Sequence, residues 1–299
     1  MTAITLNSAR GPISPLLKRA ARSSLPILLR GPTGSGKEFA ARAIHQASAR
    51  KGAFIPVNMG ALTLGLSQSE LFGSVRGSYT GAHTDRAGLF EAAHEGTILL
   101  DEIGDAPPHI QVELLRILET KEVRRLGATQ ATRLDFRIIA ATHQPLEHHI
   151  AKGTFRADLY YRLQGFEVTL PALNETKADI LPLAEKFLRE INPNGRLSNG
   201  AKERLMTYEW PGNIRELKQT IFRAATLSDN DEIRCTALSL PSKSDGKGPN
   251  LTYKTELVGQ TYELHGECLK TTAQTLGLHR STVHRHLLKW KTARLSLTP

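Results

Sequence analysis

The sequence predicts an α/β protein in which a parallel sheet is covered by helices on both faces, followed by a helical subdomain and a small all-α unit. Up to about residue 170, short apolar runs alternate with helical patterns, which is typical of a parallel sheet. From about 178 to 238 the patterns are helical only. The segment PSKSDGKGPN (241–250) has the composition of a linker. The predicted domains are therefore 1–175, 176–240 and 251–299, with the linker at 241–250.

The candidate strands are apolar nearly throughout, as strands buried on both faces should be. They are PILLR (26–30), FIPVN (54–58), TILLD (97–101) and FRIIAAT (136–142).

Two helical stripes complete the predicted core. In QVELLRILE (111–119) the shared apolar face is Val112, Leu115 and Leu118. In the helical subdomain the stripe consists of Ile214, Leu217, Ile221 and Ala224 or Ala225.

Length, charge and cysteine content limit the class of protein. At ~150 residues per domain, 299 residues predict about two domains. The sequence lacks an apolar run of ~18 residues and the apolar core of a signal peptide, so we expect a cytoplasmic protein without a membrane segment. The two cysteines, Cys235 and Cys268, are too few for a disulfide framework and fit a reducing compartment. The net charge of +10 suggests a polyanionic partner without identifying it.

A glycine-rich segment, GPTGSGKE (31–38), follows the strand PILLR and precedes a helical pattern. Its glycines let backbone N–H groups surround phosphates, and the helix N-terminus favours negative charge there. Lys37 would reach the β- and γ-phosphates of ATP. Glu38 stands where a magnesium-binding Ser or Thr usually follows the lysine. A glycine turn without a ligand is the alternative. The predicted cofactor-binding residues are Gly31, Pro32, Thr33, Gly34, Ser35, Gly36, Lys37 and Glu38.

Two carboxylates end the buried strand TILLD about 60 residues after this loop. The carboxyl end of a parallel strand is where α/β sheets bind ligands. Asp101 would hold Mg²⁺, and Glu102 would orient and deprotonate the attacking water. An acidic pair of this kind is also common at helix starts, so the preceding loop is what favours catalysis.

Together these motifs resemble the AAA+ ATPase domain of bacterial sigma-54-dependent transcriptional activators, also called enhancer-binding proteins. The resemblance covers about residues 5–240 closely and 251–290 more loosely. Its most specific part is SELFGSVRGSYTGA (69–82), whose end is similar to the GAFTGA loop that contacts sigma-54. Ser78 and Tyr79 replace Ala and Phe, and an aromatic side chain is kept. An exposed glycine-rich loop of no special purpose is the alternative. The resemblance implies that the sigma-54 contact consists of Gly77, Ser78, Tyr79, Thr80, Gly81 and Ala82.

The resemblance also implies roles for single residues. Asn58 matches the switch asparagine that holds Glu102, and Thr142 with His143 ends a strand at the sensor I position. FRADLYYRL (155–163) is similar to the segment that carries arginine fingers. WPGNIREL (210–217) is similar to the sensor II motif. The implied residues that act on the γ-phosphate are Arg156 and Arg162 from a neighbouring subunit and Arg215 from the helical subdomain.

The resemblance further implies an ATP- and Mg²⁺-dependent ring, expected to be a hexamer of this chain or of this chain with a related subunit. Such a ring remodels sigma-54 RNA polymerase holoenzyme so that promoters open. Only about thirty residues precede Gly31, so we expect no receiver or ligand-sensing domain in front of the ATPase domain.

The tail is basic and fits a helix-turn-helix in LKTTAQTLGLHRSTVHRHLLKW (269–290), similar to a Fis-like domain that binds upstream DNA. Ala273 is small where two helices approach, Gly277 lies in the turn, and Val283 packs inward. An amphipathic hairpin for oligomer contacts, with Leu278, Val283 and Leu287 as its stripe, is the alternative. The predicted DNA-binding residues are Arg280, Ser281, Thr282, His284 and Arg285.

Two further hypotheses stay open at this point. The chain could regulate ordinary polymerase from DNA, with the ATPase fold serving only for nucleotide-gated oligomerisation; such a regulator would not need the GSYTGA loop. It could also remodel another target, as chelatases or clamp loaders do, and the helix-turn-helix argues against that.

Overall fold

The computed structural model describes most of the first 240 residues and parts of the tail. The described residues are 4–5, 15–62, 67–79, 83–228, 231–240, 255, 258–259, 261–262, 268–276, 282–284, 286–287 and 290. The chain divides into two compact units, Met1–Leu238 and Ser239–Pro299. The predicted linker 241–250 lies outside the described residues.

The strands of the described residues all belong to the first unit. They are β1 (Ile4–Thr5), β2 (Ile27–Arg30), β3 (Phe54–Asn58), β4 (Gly73–Ser74), β5 (Arg86–Ala87), β6 (Thr97–Asp101), β7 (Glu122–Val123), β8 (Thr132–Arg133), β9 (Arg137–Thr142), β10 (Phe166–Thr169), β11 (Arg196–Leu197) and β12 (Glu232–Ile233).

The helices include short and long segments. They are α1 (Pro15–Arg22), α2 (Lys37–Ser48), α3 (Ser67–Phe72), α4 (Leu89–Ala92), α5 (Pro108–Thr120), α6 (Leu146–Ala151), α7 (Ala157–Leu163), α8 (Ile180–Ile191), α9 (Asn199–Thr207), α10 (Asn213–Leu227) and, in the second unit, α11 (Leu269–Leu276). No helix of the described residues is long and apolar enough to cross a membrane.

A parallel sheet with the strand order β1-β10-β2-β9-β6-β3 forms the centre of the first unit. This confirms the predicted parallel α/β sheet and its four predicted strands. In register, Arg30 lies beside Thr142, and Asn58 lies beside Asp101. The loops that follow β2, β3, β6 and β9 therefore meet at one edge.

Both faces of the sheet are buried, which explains why its strands are apolar nearly throughout. Successive side chains of a strand point to opposite faces. Leu28, Ile98 and Ile138 pack in one hydrophobic cluster with α5 and α7. Ile27, Leu99 and Ile139 pack in a second cluster with α1 and α2.

The apolar face predicted for α5 was wrong at Val112, whose side chain is 47% exposed. Leu115 is half-buried and Leu118 is buried. The buried positions are instead Ile110, Gln111, Leu114, Ile117 and Leu118. Ile110, Leu114, Ile117 and Leu118 also recur at helical spacing, so α5 has two adjacent apolar stripes, and its packing against the sheet buries this one with Gln111 beside it.

The helical part consists of α8, α9 and α10, and its core contains the predicted residues Leu217, Ile221 and Ala224. Ile214 is half-buried. The helical-only prediction was wrong in one detail, because β11, between α8 and α9, pairs in parallel with β12, which follows α10.

Arg137, at the start of β9, is 1% exposed. Its guanidinium donates hydrogen bonds to the carbonyls of Ala20 and Ala21 and, at 3.3 Å, to that of Leu25. Burial lowers the pKa of Arg137 to about 10. The charge therefore lies against the C-terminal carbonyls of α1, where a helix favours a cation.

The described residues of the second unit share a small core. Val258, Ala273, Val283 and Leu287 are buried in one cluster, and Trp290 packs against it. The backbone of Gly259 lies against the indole of Trp290, since an added Cβ would lie 2.2 Å from the ring. The cluster therefore depends on a glycine as well as on its apolar side chains.

Two of the predicted DNA-binding residues are described. Thr282 is half-buried, and His284 is exposed. The other three, Arg280, Ser281 and Arg285, lie outside the described residues. So do Gly277 of the predicted turn and Leu278 of the alternative apolar stripe.

Replacing Arg137 by methionine should lower the free energy of unfolding by about 3 kcal/mol, because carbonyls at the end of α1 lose buried donors. Arg133→Met, at an exposed position of β8, serves as the control and should change stability by less than about 0.5 kcal/mol. Urea unfolding followed by circular dichroism measures both. Equal stabilities of the two variants would contradict the capping role of Arg137.

Candidate functional site

The loop between β2 and α2 has the backbone of an anion-binding turn. Gly34 and Gly36 have φ angles of 79° and 94°, a region that side chains other than glycine rarely adopt. At Gly31 an added Cβ would lie 2.7 Å from the carbonyl oxygen of Leu170. Ser35 Oγ is buried and has no hydrogen-bond partner among the described residues. The loop therefore opens α2 with N–H groups and a hydroxyl that suit a phosphate.

Lys37 begins α2 and is 6% exposed. Its Nζ donates to the carbonyl oxygens of Gly31 at 3.1 Å and Pro32 at 3.4 Å. Burial lowers the pKa of Lys37, while Glu102 and Asp101 oppose that shift. The ammonium is thus held against the carbonyls of its own loop. Glu38, the next residue, points elsewhere, and its Oε1 lies 2.9 Å from Arg42 Nη2.

Arg30 fixes the end of β2 immediately before the loop. Its Nη2 lies 2.5 Å from Glu147 Oε1, and its Nε lies 3.0 Å from Glu167 Oε1. Hydrogen bonding to Arg30 lowers the pKa of Glu147 to about 2. The strand end is therefore anchored by ion pairs that do not use the loop itself.

Asp101 and Glu102 follow the end of β6 beside Lys37. Burial and the neighbouring Glu102 raise the pKa of Asp101, and Lys37 opposes the rise. Glu102 Oε1 lies 3.9 Å from Lys37 Nζ. The backbone of Glu102 has a left-handed φ of 52°, a strained value for a residue with a long side chain. Two carboxylates and one ammonium thus meet at the edge where the loops converge.

The structure pairs Glu102 with a different residue from the one that the resemblance implied. Asn58 lies beside Asp101 in register, but its Oδ1 accepts hydrogen bonds from the N–H groups of Gly60 and Ala61. Within the described residues, no hydrogen bond joins Asn58 to Glu102. Instead, His143 Nδ1 lies 2.6 Å from Glu102 Oε2. The end of β9 therefore contributes an imidazole contact to the carboxylate.

Thr142, the last residue of β9, is 1% exposed and lies next to the loop. Its carbonyl accepts the Gly31 N–H at 3.3 Å, and its Oγ1 accepts the N–H of Gln144 at 2.9 Å. Gln144 Nε2 in turn donates to Asp105 Oδ1 at 2.7 Å. Thr142 thus links the glycine loop to the turn that follows Glu102.

The helical part attaches to the glycine loop through the start of α10. The Gly34 carbonyl accepts the N–H groups of Ile214 at 3.0 Å and Arg215 at 3.3 Å. An added Cβ at Gly34 would lie 2.4 Å from the Gly212 carbonyl oxygen. Arg215 itself is exposed, and its charge lowers the pKa of Lys37 as a minor effect beside burial. The predicted sensor II residue therefore lies at the same edge as the loop.

Asn213 was not predicted as a site residue, yet it joins three segments. It is 5% exposed and has a left-handed φ of 54°. Its Nδ2 donates to the Thr33 carbonyl at 3.0 Å, and its Oδ1 accepts the Leu173 N–H at 2.8 Å. The side chain therefore connects the helical part to the glycine loop and to the segment that follows β10. Asparagine is enriched at left-handed positions, and its place after Pro211 and Gly212 is the local signal that could have indicated it.

The two predicted arginine fingers contact other residues of the first unit. Arg156 is exposed, and its Nη2 lies 2.7 Å from Asp158 Oδ2. Arg162 is exposed, and its Nη2 donates to the Leu118 carbonyl at 3.4 Å. Among the described residues, no ion pair or hydrogen bond joins either arginine to residues 31–38, Asp101 or Glu102. The structure therefore does not bring these two arginines to the loop of their own chain.

The predicted sigma-54 contact loop lies between β4 and β5, and a second short hairpin lies against it. β4 pairs with β5, and β7 pairs with β8, both antiparallel. The hairpins touch where the Val75 N–H donates to the Leu126 carbonyl at 3.0 Å. Gly77 has a φ of 79°, and Tyr79 is 39% exposed. The remaining residues of the motif, Thr80, Gly81 and Ala82, lie outside the described residues.

The second hairpin also supports the loop at Ser78. An added Cβ at Gly127 would lie 2.7 Å from Ser78 Cβ, so the two backbones approach closely there. A side chain at position 127 would collide with Ser78, so the close approach of the two backbones requires glycine there.

Comparison with known proteins groups these features in one family. Residues 7–169 match the family model described as the sigma-54 interaction domain, and residues 174–252 match the AAA+ ATPase lid domain. The hydrogenase transcriptional regulatory protein HoxA of Cupriavidus necator is 46% identical over 242 residues, which are 77% of this chain and 50% of HoxA. The response regulator PilR of Pseudomonas aeruginosa is 45% identical over 222 residues, 72% of this chain and 50% of PilR. The chain thus spans about half the length of these relatives.

Solved structures show the same relationship. NtrX from Brucella abortus in complex with ATP is 33% identical with a TM-score of 0.69, covering 97% of this chain and 69% of NtrX. A RuvB mutant of Thermotoga maritima is 16% identical with a TM-score of 0.54, covering 92% of this chain and 85% of RuvB. The likeness to RuvB is one of fold alone.

Replacing Asn213 by alanine should lower the free energy of unfolding by about 2–4 kcal/mol, because two buried hydrogen bonds are lost and alanine disfavours the positive φ. Asn213→Gly tolerates that φ and should be less destabilised than the alanine variant by about 1 kcal/mol. Asn199→Ala, an exposed asparagine at the start of α9, is the control. Denaturant unfolding measures all three. A loss no larger than that of the control would refute the joining role of Asn213.

Proposed function

This chain belongs to the family of bacterial sigma-54-dependent transcriptional activators, and we propose that it is an ATPase that remodels sigma-54 RNA polymerase holoenzyme to open promoters. The observation that carries the proposal is the meeting of Lys37, Asp101 and Glu102 at the sheet edge, beside a glycine loop. Transfer of a phosphoryl group to water requires such groups: a cation and N–H donors for the phosphates, a ligand for the metal ion and a base for the water. We propose that this activity takes place in the cytoplasm.

Phosphate binding would fall to the loop 31–38. The N–H groups at the start of α2 and the Ser35 hydroxyl would donate to phosphate oxygens. Lys37 would leave the carbonyls of Gly31 and Pro32 and turn to the β- and γ-phosphates, a short movement for a long side chain. Because the lysine is buried, its charge is weakly screened and its attraction for phosphate is strong.

Water attack would depend on Glu102. Its carboxylate has one oxygen near Lys37 and the other on His143, so its orientation is fixed from two sides. It would orient the water and accept its proton. Asn58 and Thr142 would line the same edge.

Magnesium would be held by Asp101, and the bound ion supplies positive charge to the phosphate oxygens. The residues present fit such an ion, because the Asp101 carboxylate offers a hard oxygen ligand close to Lys37 and the glycine loop.

Completion of the site would need a second subunit. Arg156 and Arg162 are exposed and make no contact with their own loop within the described residues. Presented to the γ-phosphate of a neighbour, their guanidinium groups would stabilise transition-state charge, while Arg215 would act from the helical lid of the same chain. We therefore propose a ring, a hexamer of this chain or of this chain with a related subunit.

Output would come from the hairpin loop through contact with sigma-54. The exposed aromatic ring of Tyr79 supports this, since aromatic side chains give large contact areas in interfaces. The proposed contact residues are Gly77, Ser78, Tyr79, Thr80, Gly81 and Ala82.

DNA recognition would fall to the tail, which we propose to be a Fis-like helix-turn-helix that binds upstream activating DNA. Burial of Ala273 and Val283 in one cluster supports two helices in close approach. The basic charge of the tail, seven Lys and Arg against three Glu in residues 251–299, suits a duplex partner. The residues that would face the major groove and phosphates are Arg280, Ser281, Thr282, His284 and Arg285.

Glu102→Gln should bind ATP with nearly unchanged affinity and lose turnover by about a hundred-fold or more, because the amide cannot accept the proton of the water. Phosphate release and fluorescent-nucleotide titration measure the two effects. His148→Gln, at an exposed histidine on α6, is the control. Undiminished hydrolysis by Glu102→Gln would refute the role of Glu102.

Thr80→Ala should leave the rate of ATP hydrolysis within about two-fold of that of the unaltered chain and abolish open-complex formation. The reason is that the loop is proposed to contact sigma-54 and contributes no residue to hydrolysis. The assay combines purified protein, ATP and sigma-54 holoenzyme on a matching promoter. Thr84→Ala makes the same change at an exposed threonine outside the motif, and this control should open the promoter as the unaltered chain does.

Two outcomes of this assay would decide against the proposal. Normal promoter opening by Thr80→Ala would contradict the loop assignment. An active ATPase that never opens the promoter, even without the substitution, would favour a regulator in which the ATPase fold serves oligomerisation.

A further inference from the structure

Gln111 is a polar residue on the buried face of α5. It is 1% exposed and lies beside the buried side chains of Ile110 and Leu114. A buried amide is costly unless its donors and acceptor are paired. Its place in the core therefore needs a reason other than apolar packing.

The amide of Gln111 is paired on both of its ends. Nε2 donates to the Ala106 carbonyl at 2.8 Å and to the Thr154 carbonyl at 3.0 Å. Oε1 accepts the Arg156 N–H at 2.9 Å. Both N–H donors and the carbonyl oxygen are thus used, and the partners lie before α5 and before α7.

One of these partners belongs to the turn behind the proposed catalytic carboxylate. The turn Ile103–Asp105 follows Glu102 directly and ends at Ala106. Asp105 N–H donates to the Glu102 carbonyl at 2.9 Å, and Ala106 N–H donates to the Ile103 carbonyl at 3.2 Å. The carbonyl that Gln111 holds is therefore the end of a hydrogen-bonded turn that starts at Glu102.

The other end of the amide holds the residue that precedes α7. Arg156 is at the N-cap of α7, and no side chain of its own caps that helix. Its guanidinium contacts Asp158, two residues further along the chain. The backbone N–H of Arg156 is thus tied to α5 through Gln111. Arg162 also rests on α5, through the Leu118 carbonyl.

We propose that Gln111 is a positioning residue that sets where Arg156 is presented and ties that position to the turn behind Glu102. The inference rests on the proposed function, in which Arg156 acts on the nucleotide of a neighbouring subunit. Its consequence is a link from the hydrolytic site of one subunit to the arginine that the same subunit offers to the next.

The first test needs no nucleotide. Gln111→Met keeps the length of the side chain and removes all three hydrogen bonds. Hydrogen exchange of the Arg156 amide should become at least about ten-fold faster, while amides of β6 keep their protection. Gln219→Met, at an exposed position on α10, is the matched control. Unchanged exchange at Arg156 would overturn the proposal.

A second variant keeps this test decisive if Gln111→Met does not fold. Gln111→Asn retains a buried amide but is one methylene too short to reach its partners on both sides. Exchange of the Arg156 amide should again be faster than in the unaltered chain. Unchanged exchange in this variant would overturn the proposal equally.

The third experiment asks whether the defect acts in trans. Gln111→Met should lower kcat by about ten- to a hundred-fold with KM for ATP nearly unchanged, because a misplaced arginine costs transition-state stabilisation. Mixed with Glu102→Gln subunits, it should recover hydrolysis above the sum of the separate activities. The recovered sites join the intact Glu102 of a Gln111→Met subunit to the well-placed Arg156 of a neighbouring Glu102→Gln subunit.

A control pair separates this inference from the proposed function. Arg156→Ala mixed with Glu102→Gln should also recover activity. If this control pair recovers and the Gln111→Met mixture does not, the inference fails and the trans role of Arg156 stands. If neither mixture recovers, the trans role of Arg156 fails, and the inference fails with it.

Discussion

The register of the parallel sheet is the constraint on which the rest of the site depends. Pairing of Arg30 with Thr142 and of Asn58 with Asp101 brings the ends of β2, β9, β3 and β6 to one edge. A shift by one residue would turn every side chain of a strand to the opposite face. Because each face packs against its own set of helices, such a shift would disrupt both hydrophobic clusters at once. The packing of the hydrophobic core therefore determines which polar residues meet at the edge of the sheet.

The glycine loop gains its contacts through its backbone, since its glycines have no side chains to offer. The Gly34 carbonyl accepts hydrogen bonds from N–H groups at the start of α10, and the Thr33 carbonyl accepts one from Asn213 Nδ2. The lid is thereby fastened to the same loop whose N–H groups suit a phosphate. Residues 33 and 34 of the loop therefore contact the start of α10 directly.

Apolar runs and the glycine spacing predicted the parallel sheet, the glycine loop and the helical lid, because these features are encoded by neighbouring residues. The long-range polar pairs could not be predicted. His143 with Glu102, Gln111 with Arg156 and Asn213 with Thr33 join residues 41, 45 and 180 positions apart. The face of α5 was misplaced at Val112 because two adjacent apolar stripes recur at helical spacing, and only the packing of the helix decides which of them is buried. The family resemblance implied Asn58 as the partner of Glu102, and the local turn at Gly60 and Ala61 takes that side chain instead.

The contact between the two hairpins has a mechanical consequence. Val75 and Leu126 are joined by a backbone hydrogen bond, and Ser78 fills the space beside Gly127. The base of the β4–β5 hairpin is therefore braced by a second hairpin, which itself begins directly after α5. A load on the loop between β4 and β5 would therefore reach α5 through the β7–β8 hairpin, because the two hairpins are joined at their bases.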